Sequence, residues 1–173
     1  MALGLMVASL TFAQTTMVGG EAMYPKKNIV ENAVNSKDHT TLVAAVKVAG
    51  LVETLQSAGP FTVFAPVNDA FENLPAGTVE TLLKPENKTK LTSVLTYHVI
   101  SGTYDFEALQ KAIRKGGGTA KLKTVAGGEL TFLMNGSRNI MVADNSGNKA
   151  NITTYDVYQS NGVIQVIDKV LLP

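Results

Sequence analysis

GPFTVFAPVNDAFENLP, residues Gly59–Pro75, changes character twice. Phe61-Thr62-Val63-Phe64-Ala65 is β-prone, with bulky apolar side chains at 61, 63 and 64, and Gly59-Pro60 punctuates its start. Pro66 has no N–H to give a ladder, so it closes the strand. Asn68-Asp69 then supplies an N-cap, and Ala70-Phe71-Glu72-Asn73-Leu74 reads as a short helix. A buried strand therefore turns directly into a helix with a carboxylate at the corner. Asp69 is expected to accept the first helical N–H groups, and Phe64 and Phe71 are expected inside, joining strand to helix. A nucleophile elbow would carry Ser or Cys at its tip, and this corner has neither, so it reads as a packing corner.

Upstream, Ile29-Val30 and Ala33-Val34 form a one-sided helical stripe. A better helix is capped at Asp38-His39-Thr40, faced by Leu42, Val43, Val46 and Ala49, and stopped by Gly50. Leu51, Val52 and Leu55 continue briefly. Downstream come short helices over 78–83 and 86–95, strand character over 97–102, and a helix from Phe106 to Lys115 capped by Asp105. From Thr119 the texture is β. Strands are predicted over 120–125, 129–134, 139–143, 150–154 and 163–172, separated by Gly-, Asn- and Asp-rich turns. Helices first and a meander afterwards, with one early strand, argue an α+β domain.

The chain has 173 residues, with 15 Lys and Arg against 14 Asp and Glu. A net charge of +1 leaves no electrostatic footprint for nucleic acid. The absence of Cys excludes disulfides, thiolate catalysis and Cys-based zinc sites. Residues 1–13, MALGLMVASLTFA, are apolar, uncharged and followed by polar Gln14-Thr15-Thr16. That run has the length of a signal h-region and is too short to span a membrane, so a mature N-terminus is expected near Gln14 or Thr15. Residues 14–27 read as a linker and 28–173 as the domain.

Catalytic chemistry finds little support. His98, flanked by Ser93 and Ser101, is the one plausible base, and no G-x-S-x-G motif accompanies it. His39 at its cap reads as a satisfied polar group. Two His without H-E-x-x-H spacing give no metal site, and Asp144-Asn145-Ser146-Gly147-Asn148 lacks the closing Glu of a calcium loop. No cofactor is expected. Sequons occur at Asn87, Asn135 and Asn151.

Four ordered segments resemble the fasciclin-type family: the Thr62-Val63-Phe64-Ala65-Pro66 corner, Leu95-Thr96-Tyr97-His98-Val99-Ile100, the closing run Asn161 to Asp168, and the helices from about Asn28. The resemblance implies a β-sandwich or wedge of about seven strands with an N-terminal helical layer. It also implies a secreted adhesion or matrix-association module that works without catalysis. In animal members the Tyr-His segment, here Tyr97-His98, and an Asp-Ile pair are linked to receptor binding. The matching pair is Asp156-Val157, flanked by Tyr155 and Tyr158, in a run expected to form a surface connection between strands. The closing signature usually has His where this chain has Gln165. Expected partners are an extracellular protein or polysaccharide, and the expected address is extracellular, or periplasmic or cell-surface in a bacterium. A small-ligand carrier with a cleft between helices and sheet is the alternative. A deep apolar cleft would favour the carrier, and a flat patch with Tyr155 and Tyr158 would favour adhesion.

Overall fold

Residues 15–173 are described by the computed structural model, so the leader-like segment 1–13 lies outside them. The centre of the fold is the parallel pair β3 (Phe61–Pro66) and β9 (Gly162–Ile167), in register from Phe61↔Gly162 to Pro66↔Ile167. Both are almost continuously buried, as expected of strands covered on two faces. β4 (Val99–Ser101) flanks β3. On the other side β8 (Lys149–Gln159), β7 (Asn139–Ala143), β6 (Glu129–Asn135) and β5 (Thr119–Lys123) complete a seven-stranded sheet. Gly162 has to be a glycine: a Cβ there would lie 2.1 Å from the Phe61 carbonyl oxygen.

Alternation along β3 divides two cores. Val63 and Ala65 face a layer of helices: α1 (Ile29–Ala33), α2 (Thr40–Ala49), α3 (Val52–Gln56), α4 (Asn68–Glu72), α5 (Thr78–Leu82) and α6 (Lys88–Tyr97). Phe64 faces the opposite way, into the wedge between the two halves of the sheet. There it packs on Phe132, ring centroids 5.2 Å apart, and α7 (Phe106–Lys115) closes the space with Leu109 and Ile113. The α+β architecture and the strand number agree with the expectation.

Besides the stretch 97–102, where α6 runs through Tyr97 and β4 begins only at Val99, four details differ from it. Within the stretch read as a linker, β1 (Thr16–Val18) and β2 (Glu21–Met23) form an antiparallel hairpin that buries Val18 and Met23 against the helical layer. Asn32 holds this hairpin, bonding both the N–H and the carbonyl of Tyr24 as well as the Gln159 side chain. Secondly, Asp69 is exposed and caps nothing; Val67 occupies the N-cap of α4 without a side-chain bond. Its neighbour Asn68 reaches across instead, accepting from Thr41 N at 3.1 Å and donating to the Lys37 carbonyl at 2.8 Å, so it ties α4 to the start of α2. Thirdly, Phe64 and Phe71 are both buried but in separate cores, Phe71 under the helices. The corner thus joins two cores rather than closing one. Finally, β9 stops at Ile167: Asp168 N still reaches the Asn151 carbonyl, and beyond it Leu171 N bonds to His98 Nε2 and Leu172 N to Asp144 Oδ2.

The Asn161-Gly162 turn was expected, and its side chain does more than turn the chain. Asn161 Oδ1 accepts from Ile29 N at the head of α1, while Nδ2 donates to the carbonyls of Leu55 and Ser57 at the end of α3. One buried amide thus satisfies orphan groups at two helix ends.

Candidate functional site

The run Tyr155-Asp156-Val157-Tyr158 lies inside β8, where a surface connection was expected. β8 continues through it because two irregularities, between Ile152 and Thr154 and between Thr154 and Val157, absorb extra residues against β9. Asp156 takes φ 56° at the second, a left-handed conformation that Asp tolerates better than most residues. Such bulges re-aim side chains. Here Val157 turns inward to the helical core, 1% exposed, while Tyr158 turns outward, 45% exposed.

Asp156 is fixed from three sides. Its Oδ1 accepts from Phe106 N at 2.7 Å, the first N–H of α7, and from Gln165 Nε2 at 2.9 Å. Its own N–H donates to Gln165 Oε1 at 3.0 Å, and Gln165 Nε2 also donates to the Tyr104 carbonyl. The fully buried Gln165 is thus a two-ended brace under the bulge, in the position where the family pattern has His. Asp105 caps α7 as expected, through Oδ1 to Ala108 N. Its Oδ2 accepts from the Tyr158 hydroxyl at 3.1 Å. Burial first, then this bond and the surrounding carboxylates, push the Tyr158 phenol up to about 12. Tyr155 packs edge-to-face on Phe106 with centroids 5.1 Å apart, and its hydroxyl accepts from Ile140 N at 2.8 Å. Burial raises its pKa as well.

Beside this brace lies a depression of about 520 Å³, open to solvent and lined by Phe106, Gln110, Ser137, Arg138, Tyr155 and Asp156. Sequence reading missed Arg138 and Gln110. Arg138 sits in an ordinary β6–β7 turn and Gln110 at a half-buried position of a helix, so only the fold brings them to Asp156.

The Tyr97-His98 segment is elsewhere and has a different character. Tyr97 ends α6 with its side chain fully buried in the wedge, its hydroxyl donating to the Glu129 carbonyl at 2.7 Å and accepting from Asn145 N at 3.2 Å. Gly128 lets the ring pass, since a Cβ there would lie 2.7 Å from it. His98 donates through Nδ1 to the Val94 carbonyl and accepts through Nε2 from Leu171 N, a pairing that specifies the tautomer. Burial lowers its pKa to about 4, so it is neutral at pH 7. His39 is similarly enclosed, bonded to Ser36 Oγ and the Ala65 carbonyl, and its pKa is lowered chiefly by burial. Neither imidazole is presented to solvent, and both keep the satisfied polar role. The Tyr97, His98 and Val157 side chains therefore lie beneath the surface, while Tyr155, Asp156 and Tyr158 reach it.

An apolar cavity of about 70 Å³ lies under the helical layer, between the hairpin residues Val18 and Met23 and the far side near Val125. Pockets that bury a small ligand run to about 300–1,000 Å³, so this one is a packing void by comparison. Among the described residues no helix is long and apolar enough to cross a membrane, and no cluster of three or more His, Cys, Asp or Glu could hold a metal.

Residues 37–173 match the fasciclin domain. The chain belongs to the fasciclin-domain family. A fasciclin relative, Protein sll1483 of Synechocystis sp., is 45% identical over 176 residues, covering 99% of this chain and 90% of the relative. The cell surface glycolipoprotein MPB83 of Mycobacterium bovis is 38% identical over 123 residues, 71% of this chain and 48% of its own length. Among solved structures, a FAS1 domain pair from the insect cell adhesion molecule Fasciclin I superposes with a TM-score of 0.77 at 20% identity. That match covers 86% of this chain and 52% of the other, so this fasciclin domain spans about half of the paired structure.

Proposed function

We propose that this fasciclin domain, its N-terminal hairpin included, is a secreted adhesion or matrix-association module that acts by binding an extracellular partner and carries out no reaction. Residues 1–13 are its export leader, and its address is extracellular, periplasmic or the cell surface. The observation that carries this reading is the rigid face at the head of α7. Tyr158 and Tyr155 flank that helix end, one hydroxyl bound to Asp105 and the other to the β7 backbone. Tyrosines held in place lose little side-chain entropy on docking, which suits recognition by contact. Kinship supports the same class: one relative is named a cell surface glycolipoprotein and the superposed structure belongs to a cell adhesion molecule. Both histidines are enclosed and hydrogen-bonded, which removes the residue type that most often serves as a general base.

The test is adhesion of beads coated with the domain to native extracellular matrix and to cells. A double variant, Tyr158→Ala with Arg138→Ala, leaves the Asp156 brace intact. With circular dichroism unchanged, its adhesion is expected to fall at least about ten-fold, or about 1.4 kcal/mol. Full adhesion by the folded double variant would show that this face is not the contact.

A further inference from the structure

We infer that the depression between the head of α7 and the β6–β7 turn binds neutral pyranose units of a polysaccharide chain. This names the partner class for the face proposed above and rests on that proposal. A pyranose ring has apolar C–H faces and an equator of vicinal hydroxyls. It therefore needs aromatic surface for its faces and planar, two-pronged hydrogen-bonding groups for its hydroxyl pairs. The depression supplies both kinds. The Phe106–Tyr155 pair is the aromatic part, and Asp156, Arg138 and Gln110 are a carboxylate, a guanidinium and a carboxamide. The guanidinium can engage two hydroxyls side by side, and Asp156 offers one carboxylate oxygen as a further acceptor.

The groups are also available. Asp156 bonds within the protein through Oδ1, leaving Oδ2 without a hydrogen-bond partner among the described residues. Arg138 is exposed and forms no salt bridge with any described residue. The rigid half of the site is prepared in advance, because Asp156 is braced by Gln165 and Phe106 N while the Tyr155 hydroxyl is tied to Ile140 N. Preorganisation matters most for ligands that gain little per contact, and hydroxyls leaving water are such ligands.

Three features select a neutral chain polymer. One cation and one anion line the depression, which suppresses preference for a charged ligand, and the whole chain carries a net charge of +1. The depression is open to solvent, so a chain can continue past it. A peptide partner held by a buried anchor would need a closed, desolvated pocket, and this one is shallow.

The experiment is titration of the domain with cellohexaose, maltohexaose, xylohexaose and mannohexaose, followed by calorimetry and by amide chemical shifts. Oligogalacturonate serves as an anionic comparison. At least one neutral hexamer should bind saturably with a Kd at or below about 1 mM, shifting amides of α7 and the β6–β7 turn. Gln110→Ala and Arg138→Ala should each weaken it at least about five-fold, and Lys90→Ala on α6 should leave it unchanged. Because none of these positions is buried in a core, folding is not the expected casualty; thermal midpoints of all three variants check it. No saturable binding of any neutral hexamer up to about 10 mM would overturn the inference, as would equal binding by the Arg138→Ala and Gln110→Ala proteins. Preference for oligogalacturonate would overturn it too. The adhesion assay separates the two levels. Adhesion that depends on Tyr158 and Arg138 while no hexamer binds or competes leaves the adhesion face standing with a protein partner, and refutes the sugar.

Discussion

Tyr97-His98 and Tyr155-Tyr158 are both tyrosine-bearing segments beside a polar partner, and the fold uses them in opposite ways. At Tyr97 and His98 every side-chain polar atom has a backbone partner and both residues are buried. At Tyr155 to Tyr158 the strand is bulged, and three of the four side chains reach solvent while their backs are braced by Gln165 and Asp105. A tyrosine-bearing segment can thus be a lock or a presentation platform. What separates the two is the backbone: Tyr97 closes a helix against the wedge, whereas the bulges in β8 re-aim the side chains around Asp156.

The largest effects should come from the locked side. Tyr97→Ala, like Phe64→Ala next to it in the wedge, is expected to cost about 3–5 kcal/mol, the range for truncating a buried aromatic. Denaturant midpoints measure it, and an unchanged midpoint for either variant would show that the wedge core does not depend on these rings.

His98 gives the second test. Its pKa is about 4 in the fold against an ordinary value of 6.5. A value depressed by folding means that the contribution is complete above pH 6.5 and is lost as pH falls through about 4. Acidification across that window should remove roughly 3 kcal/mol, with His39 adding in the same direction. Urea unfolding at pH 7 and pH 4, with the imidazole resonances followed in parallel, checks this. A His98 resonance titrating near 6.5 would break the contrast.

On the braced side Asp156→Ala should cost about 1–3 kcal/mol, since Phe106 N and Gln165 Nε2 lose their acceptor. Asp156→Asn should recover part of that loss, because the amide keeps an acceptor oxygen and tolerates the left-handed backbone. If alanine and asparagine melt together, the carboxylate oxygen is not what holds the bulge. Smallest of all, Tyr158→Phe and Asp69→Ala should each stay within about 0.5 kcal/mol of the parent by thermal melting, as exposed side chains usually do. A larger loss at Asp69 would restore the capping role that the structure denies it.

Much of the architecture was legible because it is written in local patterns. The apolar run at Phe61–Ala65, the Asp105 cap and the turns rich in Gly, Asn and Asp each carry their own signal, and each appears where expected. Asp69 misled because its neighbour Asn68 is an equally good cap and found a better use across the gap to α2. The hairpin over residues 16–23 was missed because its strands have three residues each and owe their order to burial of Val18 and Met23. The site was the least legible part. A bulge has no residue code of its own, so the inward turn of Val157 and the outward turn of Tyr158 are set by pairing with β9. Arg138 and Gln110 reach Asp156 only through the tertiary fold.

The parallel pairing of β3 with β9 has a bearing on how the protein is made. Phe61 meets Gly162, a separation of about one hundred residues, and among the described residues β3 has no other parallel neighbour. During synthesis β3 emerges long before its partner, with only β4 available to it. Its apolar edge must therefore wait while the meander is translated, and loop closure of that length makes for slow folding and an exposed interval. Until β9 has arrived, the Phe61–Ala65 strand lacks the parallel partner that covers its second edge.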